Sequence, residues 1–234
     1  YTSVNTTAGF SISSYTGTGS NATVGHGLGS TPHTIIVKRR DASDDWHVYH
    51  KSIGNTKALK LNTSDAEHAW NVYWNNTSPT STVFSVGTGN GVNASSGTYI
   101  AYCFAEKQGY SKFGSYTGNG STAATGGPFF YTGFKPSWVM IKSAAEGSGA
   151  NWVIMDNKRN PFNRTGKYLR ADLNNAEGDD SSYGGTNWSM DMLSNGIKIS
   201  GGDVGLNKSG DKYIYMAFAE EPLVASNFVP TTAR

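Results

Sequence analysis

Charged residues are scarce in this chain, which limits the partners that it can bind. They make up 15% of its 234 residues, whereas soluble globular domains usually carry about 25%. The formal net charge is +2, and the one basic run, Lys38 to Arg40, is followed at once by Asp41. A protein that binds nucleic acid needs a basic patch or stripe that faces the phosphates. We therefore predict no nucleic-acid partner.

Cysteine and long apolar runs are also missing. The single cysteine, Cys103, excludes an intramolecular disulfide, and we predict that it is a small buried residue rather than a reactive thiol. No apolar run approaches the roughly 18 residues of a membrane-spanning helix, so we predict no membrane insertion. The chain opens at Tyr1 without a Met or a signal-like region, which indicates a processed product or a leader outside this sequence.

Catalytic motifs are missing as well. The sequence has no Gly-x-Ser-x-Gly elbow, no His-Glu-x-x-His and no phosphate-binding loop. A glycan hydrolase needs two carboxylates that flank one bond. Glu106 and Glu220 recur, but each ends its own repeat, and Asp191 and Asp203 are isolated. We predict that the protein is not an enzyme and needs no cofactor.

Metal ligands do not cluster in any defined motif. All five histidines lie in the first half, and His47 and His50, three apart in a predicted strand, face opposite sides. A zinc site that joins His33, His47 or His50 to Asp41, Asp44 or Asp45 stays an open alternative. The pairs Asp44-Asp45 and Asp179-Asp180 could offer oxygen ligands to calcium, although turn chemistry explains them equally well. We predict no bound metal.

Glycine and aromatic residues are abundant instead. The chain contains 29 Gly, 13 Tyr and 6 Trp, and no long stretch is rich in Leu, Ala, Glu and Lys. Many short strands joined by Gly- and Asn-rich turns predict an all-β sandwich or barrel.

One strand-like stretch occurs twice, as Tyr99–Glu106 and Tyr213–Glu220, with Tyr, Ile, Phe, Ala and Glu at the same five places. With a period of two, the bulky residues Ile100, Tyr102 and Phe104 point to one side. We predict a half-buried strand in each copy, with this bulky set facing the core.

Four further blocks recur in the same order, which predicts a tandem repeat. They are Tyr15–Gly19 with Tyr116–Gly120, Pro32–Lys38 with Pro136–Lys142, Trp46–His50 with Trp152–Asp156, and Lys57–Lys60 with Lys167–Arg170. The offset grows from 101 residues (Tyr15 to Tyr116) to 114 (Tyr99 to Tyr213), as loop insertions would make it. We predict two antiparallel β-sandwich modules of the jelly-roll or concanavalin-like type, produced by internal duplication, over residues 1–109 and 110–234.

Each module is predicted to hold six to eight strands, and one larger sandwich built from both copies is the alternative architecture. The polar segment Tyr1–Gly9 is predicted to be an arm or linker. The tail that follows Glu220 has no repeat partner and is predicted to be an exit arm.

Seven blocks together are similar to a known module. They are residues 24–29 and 73–85 in the first half, and residues 114–120, 132–142, 151–161, 193–199 and 213–220 in the second. They include Gly-Ser-Tyr-Thr-Gly-Asn-Gly and Tyr-Ile-Tyr-Met-Ala-Phe-Ala-Glu. This set resembles a concanavalin-like or SPRY-like β-sandwich repeated in virion structural and tail-fibre proteins of tailed bacteriophages, particularly marine ones. The resemblance covers roughly residues 10 to 220. It implies a component of the virion surface that meets the host, and it supplies no catalytic or ligand residues.

Exposed aromatic rings beside amides are typical of sites that bind glycans, because the rings stack on the C–H faces of sugars. The candidate ligand residues are Trp70, Tyr73, Trp74 and Asn75 in the first half, and Tyr183 and Trp188 in the second. The competing interpretation is that these rings cover the edge of each core, because aromatic side chains dominate small β-cores. Trp46 and Trp152 recur at matched strand positions and are assigned to the core.

These observations predict a structural or surface protein of a phage virion, as a tail-fibre, decoration or adhesin component that binds host glycans through aromatic loops. The predicted partners are other virion proteins or copies of the chain itself, as a homo-oligomer, and a host-surface glycan. One alternative is a carbohydrate-binding module of a secreted protein. The other is an assembly subunit that has no ligand.

Overall fold

The computed structural model describes residues 1–121, 126–145, 150–180 and 187–220, and these residues form an all-β protein. Two compact units divide the chain. The first contains Tyr1–Asn62 and Glu67–Lys107, and the second contains Thr63–Ala66 and the chain from Gln108 onward. None of the described helices is long and apolar enough to cross a membrane.

The first unit contains nine strands and two helices of one turn. In chain order they are β1 (Thr2–Asn5), β2 (Phe10–Thr16), β3 (Ala22–Gly25), β4 (Thr34–Arg39), β5 (Trp46–His50), β6 (Lys57–Lys60), β7 (His68–Ala69), α1 (Asn71–Trp74), β8 (Val83–Val86), α2 (Asn90–Asn93) and β9 (Thr98–Phe104).

Two antiparallel sheets enclose the core of the first unit. The larger sheet has the order β1-β2-β9-β4-β5-β6-β7, and β3 pairs with β8 in a separate two-stranded sheet. Alternation of apolar and polar residues along these strands turns one face of each sheet inward. The core contains side chains of both sheets, among them Val24, Ile35, Val37, Tyr49, Phe84, Val86, Tyr99, Ala101 and Cys103.

The second unit repeats this arrangement. Its described elements are β10 (Ser111–Thr117), β11 (Phe129–Tyr131), β12 (Pro136–Ser143), β13 (Val153–Asp156), β14 (Lys167–Arg170), β15 (Gly178–Asp179), β16 (Met190–Leu193), β17 (Gly196–Ile199), α3 (Val204–Asn207) and β18 (Lys212–Ala219). The larger sheet has the order β10-β18-β12-β13-β14-β15, and the smaller has the order β11-β17-β16.

Strand pairing makes the two units comparable position by position. Tyr15 pairs with Tyr99 in the first unit, and Tyr116 pairs with Tyr213 in the second. The hydroxyl of Tyr99 donates to Asn90 O and accepts from Ala94 N. The hydroxyl of Tyr213 donates in the same way to Val204 O and accepts from Lys208 N. A buried phenol therefore anchors α2 and α3 to the central strand of each larger sheet.

The all-β prediction is confirmed, and two details of it are wrong. Each unit has nine described strands rather than six to eight. Thr2–Asn5 is not an arm, because it pairs with β2 along its whole length as strand β1. Its four side chains are all exposed, so neither composition nor periodicity marks it as a strand. The predicted exit arm after Glu220 lies outside the described residues.

The predicted inward face of the recurring strand is also wrong. Tyr99, Ala101 and Cys103 face the core and are fully buried, whereas the bulky set beginning at Ile100 lies half-buried on the opposite face. That face has its own aromatic pairs, such as Phe10 with Phe104 at 4.8 Å. Side chains of neighbouring strands pack against the bulky residues on the outer face. The small residues Ala101 and Cys103 on the inner face leave space for the rings of the smaller sheet.

Two other core assignments have different outcomes. Trp152 is buried, but Trp46 lies half-exposed on the outer face, where its ring contacts Tyr102 and Lys38. Cys103 is buried as predicted, and burial raises the pKa of its thiol to about 12. The thiol therefore stays protonated at neutral pH, which makes it a poor nucleophile.

Candidate functional site

The aromatic candidates of the first unit lie on and around α1. This helix has a single turn, with Trp70 in an extended conformation at its N-terminus and Asn75 in the left-handed region (φ 49°) at its C-terminus. Asparagine tolerates that conformation better than most residues. The turn separates the rings: Trp70 is 46% exposed, Tyr73 is 7% exposed and Trp74 is 2% exposed.

Trp74 belongs to the hydrophobic core. Its ring packs edge-on against Tyr49, with 5.9 Å between centroids and 74° between planes, among the buried residues of the first unit. The ring cannot reach a ligand at the surface. For this residue the structure places the side chain where the core interpretation expects it.

Tyr73 forms the base of the site. Its ring lies 4.2 Å from the His47 ring and 5.3 Å from the Trp70 ring. Burial raises the pKa of Tyr73 to about 12, so the phenol is neutral. Tyr73 therefore supports the exposed Trp70 from below.

The buried ring of His47 packs against Tyr73. His47 Nε2 lies 3.2 Å from Asp44 Oδ1, and because a carboxylate only accepts, the Nε2–H is the donor. Burial lowers the pKa of His47, and the nearby Asp44 offsets this only in part. The imidazole is therefore neutral at pH 7, and its buried Nδ1 has no hydrogen-bond partner among the described residues.

Trp70 is the ring that the first unit presents to solvent. The ring of His68 stacks against it at 5.6 Å with 29° between planes. Together with Tyr73 and His47, these side chains form a continuous row of rings from the surface to the core. We call these four residues the aromatic row. Contacts at both neighbours restrict the orientation of the Trp70 indole, so its remaining surface is preorganised for a flat apolar partner.

Trp188 occupies a different environment in the second unit. It stacks on Tyr168 at 5.0 Å with 22° between planes, and the Arg170 guanidinium lies 4.9 Å from the Trp188 ring. The indole also contacts Gly205, where an added Cβ would come within 2.5 Å of Trp188 Cη2. The Trp188 ring is therefore partly buried by these contacts and is less available than Trp70.

Backbone hydrogen bonds show which residues correspond between the units. Gly89 N donates to Val72 O in the first unit, and Asp203 N donates to Asn187 O in the second. Trp188 thus corresponds to Tyr73, the buried base of the aromatic row, and not to Trp70. Tyr183, the remaining candidate, lies outside the described residues.

A family model described as a domain of unknown function, DUF7483, matches residues 1–222. The chain belongs to the DUF7483 family. No curated protein and no solved structure shows significant similarity to it.

The acidic pairs of the DUF7483 chain are used in internal contacts. Asp44 accepts from His47, and Asp45 forms an ion pair with Lys60 at 3.0 Å. Asp180 accepts from the backbone N–H groups of Asn187 and Trp188. Within the described ranges, no group of three or more His, Cys, Asp or Glu side chains could hold a metal ion.

Sequence reasoning missed two features of the DUF7483 chain. One is the hydrogen bond between Asp44 and His47, which positions the ring that packs against Tyr73. Asp44 precedes His47 by three residues, and this spacing could have indicated the pair. The other is the outer face of the smaller sheet in the second unit, where Phe129 and Tyr131 are 45% and 62% exposed. Their alternation around the buried Phe130 is the signal that could have indicated a strand with an apolar outer face.

Proposed function

We propose that this chain is a structural protein of a bacteriophage virion, located on the particle surface. In this proposal, two concanavalin-like β-sandwich modules that arose by internal duplication act as rigid supports for a site that meets the host. The larger sheets share one strand order apart from the additional edge strand β1, and this order and the equal anchoring of α2 and α3 support the duplication. The seven blocks that resemble virion modules support the location.

The ligand that we propose is a host-surface glycan, and the exposed Trp70 is the observation that carries this proposal. A sugar presents an apolar C–H face, which an indole held in a fixed orientation can bind without a large loss of side-chain entropy. Asn71 and Asn75 flank the same turn and offer amide groups to the hydroxyls. Tyr73 and Trp74 serve as support rather than as contact residues, because they are buried.

The direct test is binding of the purified chain to an array of bacterial surface glycans. We expect Trp70→Ala to reduce the affinity for any bound glycan at least tenfold, which corresponds to about 1.4 kcal/mol. Phe162→Ala is the matched control, because Phe162 is an aromatic residue of the second unit that is 78% exposed. If wild type binds no glycan, or if Trp70→Ala binds as wild type does, the glycan proposal fails.

A second candidate function is assembly without a ligand. The outer face of the smaller sheet in the second unit carries Phe129, Tyr131 and Leu193, all exposed. Tyr131 and Leu193 flank the same residue, Gly196, on neighbouring strands, so they form one apolar face. Exposed apolar faces of this kind are typical of protein interfaces, and we propose a second copy of the chain as the partner.

Light scattering coupled to size-exclusion chromatography tests the assembly candidate. We expect a wild-type oligomer that Tyr131→Ser converts to monomer, while Phe162→Ser leaves the oligomer intact. A monomeric wild type at micromolar concentration contradicts self-assembly. Electron microscopy of the native particle then separates the virion proposals from a carbohydrate-binding module of a secreted protein, because the latter would not be found in the particle.

A further inference from the structure

The first unit contains a cavity of about 300 Å³ at the edge between its two sheets. Its walls come from β1 and β2 on one side and from β3 and β8 on the other, and they include Tyr15, Val24, Val86 and Asn93. A single water molecule takes about 30 Å³ of liquid volume, so the cavity holds far more than one ordered water. Its size lies at the lower end of the 300–1,000 Å³ typical of small-molecule sites.

The equivalent place in the second unit is filled. Strand pairing places Val24 opposite Phe84 and Phe130 opposite Ile197, so Val24 corresponds to Phe130. The Phe130 ring stacks on Tyr116 at 4.8 Å with 4° between planes. The first unit has Tyr15 in place of Tyr116 and the smaller Val24 in place of the ring, and both residues line the cavity.

A second substitution contributes to the same difference. Tyr215 of β18 packs against Phe130 at 4.3 Å, and the corresponding residue of β9 is Ala101. Several of its lining residues, among them Thr16 and Thr23, are exposed, so this space is a pocket open to solvent and not an internal void. In the second unit, aromatic rings occupy the position that is open in the first unit.

The chemistry of the lining restricts what can enter. Most of the residues around the cavity carry hydroxyl groups, including Thr2, Thr18 and Thr23, and none has an Asp, Glu, Lys, Arg or His side chain. A positive charge does lie at its edge, because Tyr1 is a lining residue and its ammonium donates to Ser14 O at 3.2 Å. Burial raises the pKa of Tyr15, so its phenol stays neutral. The Asn93 amide is already used in hydrogen bonds to Thr18, Ser20 and Gly87, so it shapes the wall and does not supply a free charge.

We propose that this cavity binds a small neutral polyhydroxyl compound, a monosaccharide or the end residue of a glycan chain, with its apolar face on the Tyr15 ring and its hydroxyls on the threonines. A cationic ligand would find no carboxylate among the lining side chains and would lie near the Tyr1 ammonium, which is unfavourable. The site is separate from Trp70, which is not among its lining residues, and it does not depend on the virion proposal.

Nuclear magnetic resonance titration of the full chain tests this inference. The probes are glucose, galactose and N-acetylglucosamine, with the cationic glucosamine as the charged comparison. We expect at least one neutral sugar to bind with a millimolar Kd and to shift amide signals of β2 and β3, and glucosamine to bind at least tenfold more weakly. Shifts confined to α1 would place the sugar at the aromatic row instead and would overturn the cavity assignment.

Val24→Phe copies the second unit and is the decisive variant. We expect it to abolish the shifts at β2 and β3, while Phe162→Ala keeps the wild-type Kd. Because a larger residue at a buried position can disturb folding, Thr23→Phe at the exposed rim is a second variant with the same expected loss. Unchanged binding in a folded Val24→Phe or Thr23→Phe protein, or no binding of any neutral sugar to wild type at 20 mM (about twentyfold above a Kd of 1 mM), would show that the cavity is not a sugar site.

Discussion

Buried amides at matched positions hold the turn that follows β2 in the first unit and the turn that follows β10 in the second. Asn93 accepts from Thr18 N at 2.8 Å and donates to Ser20 O and Gly87 O at 2.6 and 2.7 Å. Asn207 accepts from Asn119 N at 2.9 Å in the second unit. Both side chains are fully buried, so their bonds replace those that water would make.

Removal of the Asn93 amide tests how much this network stabilises the first unit. We expect Asn93→Ala to lower the free energy of unfolding by about 2–3 kcal/mol, because it leaves Gly87 O and Thr18 N without their partner and removes one of the two donors to Ser20 O. Urea denaturation measures the change. The control is Asn21→Ala at an exposed position, for which we expect a change within about 0.5 kcal/mol. Equal midpoints for the two variants would contradict the assigned role.

A buried lysine should make the stability of the second unit depend on pH. Lys142 is fully buried, its Nζ donates to Ser143 O at 2.7 Å, and burial lowers its pKa from 10.5 to about 8. Between these two values the unfolded chain binds more protons than the folded chain, so stability rises with pH across that window.

We expect the free energy of unfolding to rise by about 2 kcal/mol from pH 7 to pH 9.5 through Lys142. Denaturant titrations at several pH values, stopped below the range in which free tyrosines ionise, measure this rise. Lys142→Met is the matched variant, and its curve should lack that rise. If wild type and variant show the same slope, the pKa of Lys142 is not lowered on folding.

At the scale of elements, glycines set how closely the one-turn helices approach the sheets. A Cβ at Gly91 of α2 would lie 2.0 Å from His47 Nε2, and one at Gly205 of α3 would lie 2.5 Å from Trp188 Cη2. Neither distance is possible between non-bonded atoms. His47 of the aromatic row and the partly buried Trp188 therefore both require glycine in the neighbouring helix.

Gly91→Ala should destabilise the first unit by about 2–3 kcal/mol, because the added methyl group displaces the His47 ring from Asp44 and Tyr73. Thermal and urea denaturation measure the loss, and NMR signals of the His47 ring should shift. Gly25→Ala is the control, because no atom lies within 4 Å of the added Cβ. A Gly91→Ala protein as stable as Gly25→Ala would show that α2 can move away at little cost.

At the scale of the whole molecule, both units use one plan with different core residues. The central strands β9 and β18 each pair with neighbours on both sides. The first unit fills the space beneath its smaller sheet with Phe84 and Val24, whereas the second uses Phe130 and Tyr215. The two units share the pairing of their main strands. The side chains at matched positions then decide whether a cavity remains.

The rates of amide hydrogen exchange should follow the pairing and burial of the strands. We expect the amides of β9 and β18 to exchange most slowly, because these strands are paired on both sides and buried in their units. The edge strands β1 and β15 should exchange fastest among the strands, since β1 is wholly exposed and β15 has two residues. Exchange measured by mass spectrometry checks the order, and protection of β1 equal to that of β9 would contradict it.

Much of this organisation was predictable because it depends on local patterns. Residues 46–50 were predicted as a strand and form β5, and Pro136–Lys142 lies within β12. Alternating and β-branched residues favour strands wherever they occur. By contrast, β1 was missed because its residues Thr2–Asn5 contain no alternating apolar set, and only pairing with β2 makes them a strand.

The sequence alone determined the fold class and the repeat of the main strands, because periodicity and turn residues act within a few positions of the chain. Only the tertiary structure decided which side of β9 faces the core, which of the three aromatic candidates near α1 reaches solvent, and that a cavity lies beside Tyr15. Those properties depend on side chains that approach from distant strands. Trp70 and Trp74 have the same chemistry and lie four residues apart. One contacts solvent and the other the core, because Trp70 has an extended conformation before α1 and Trp74 lies within the helix.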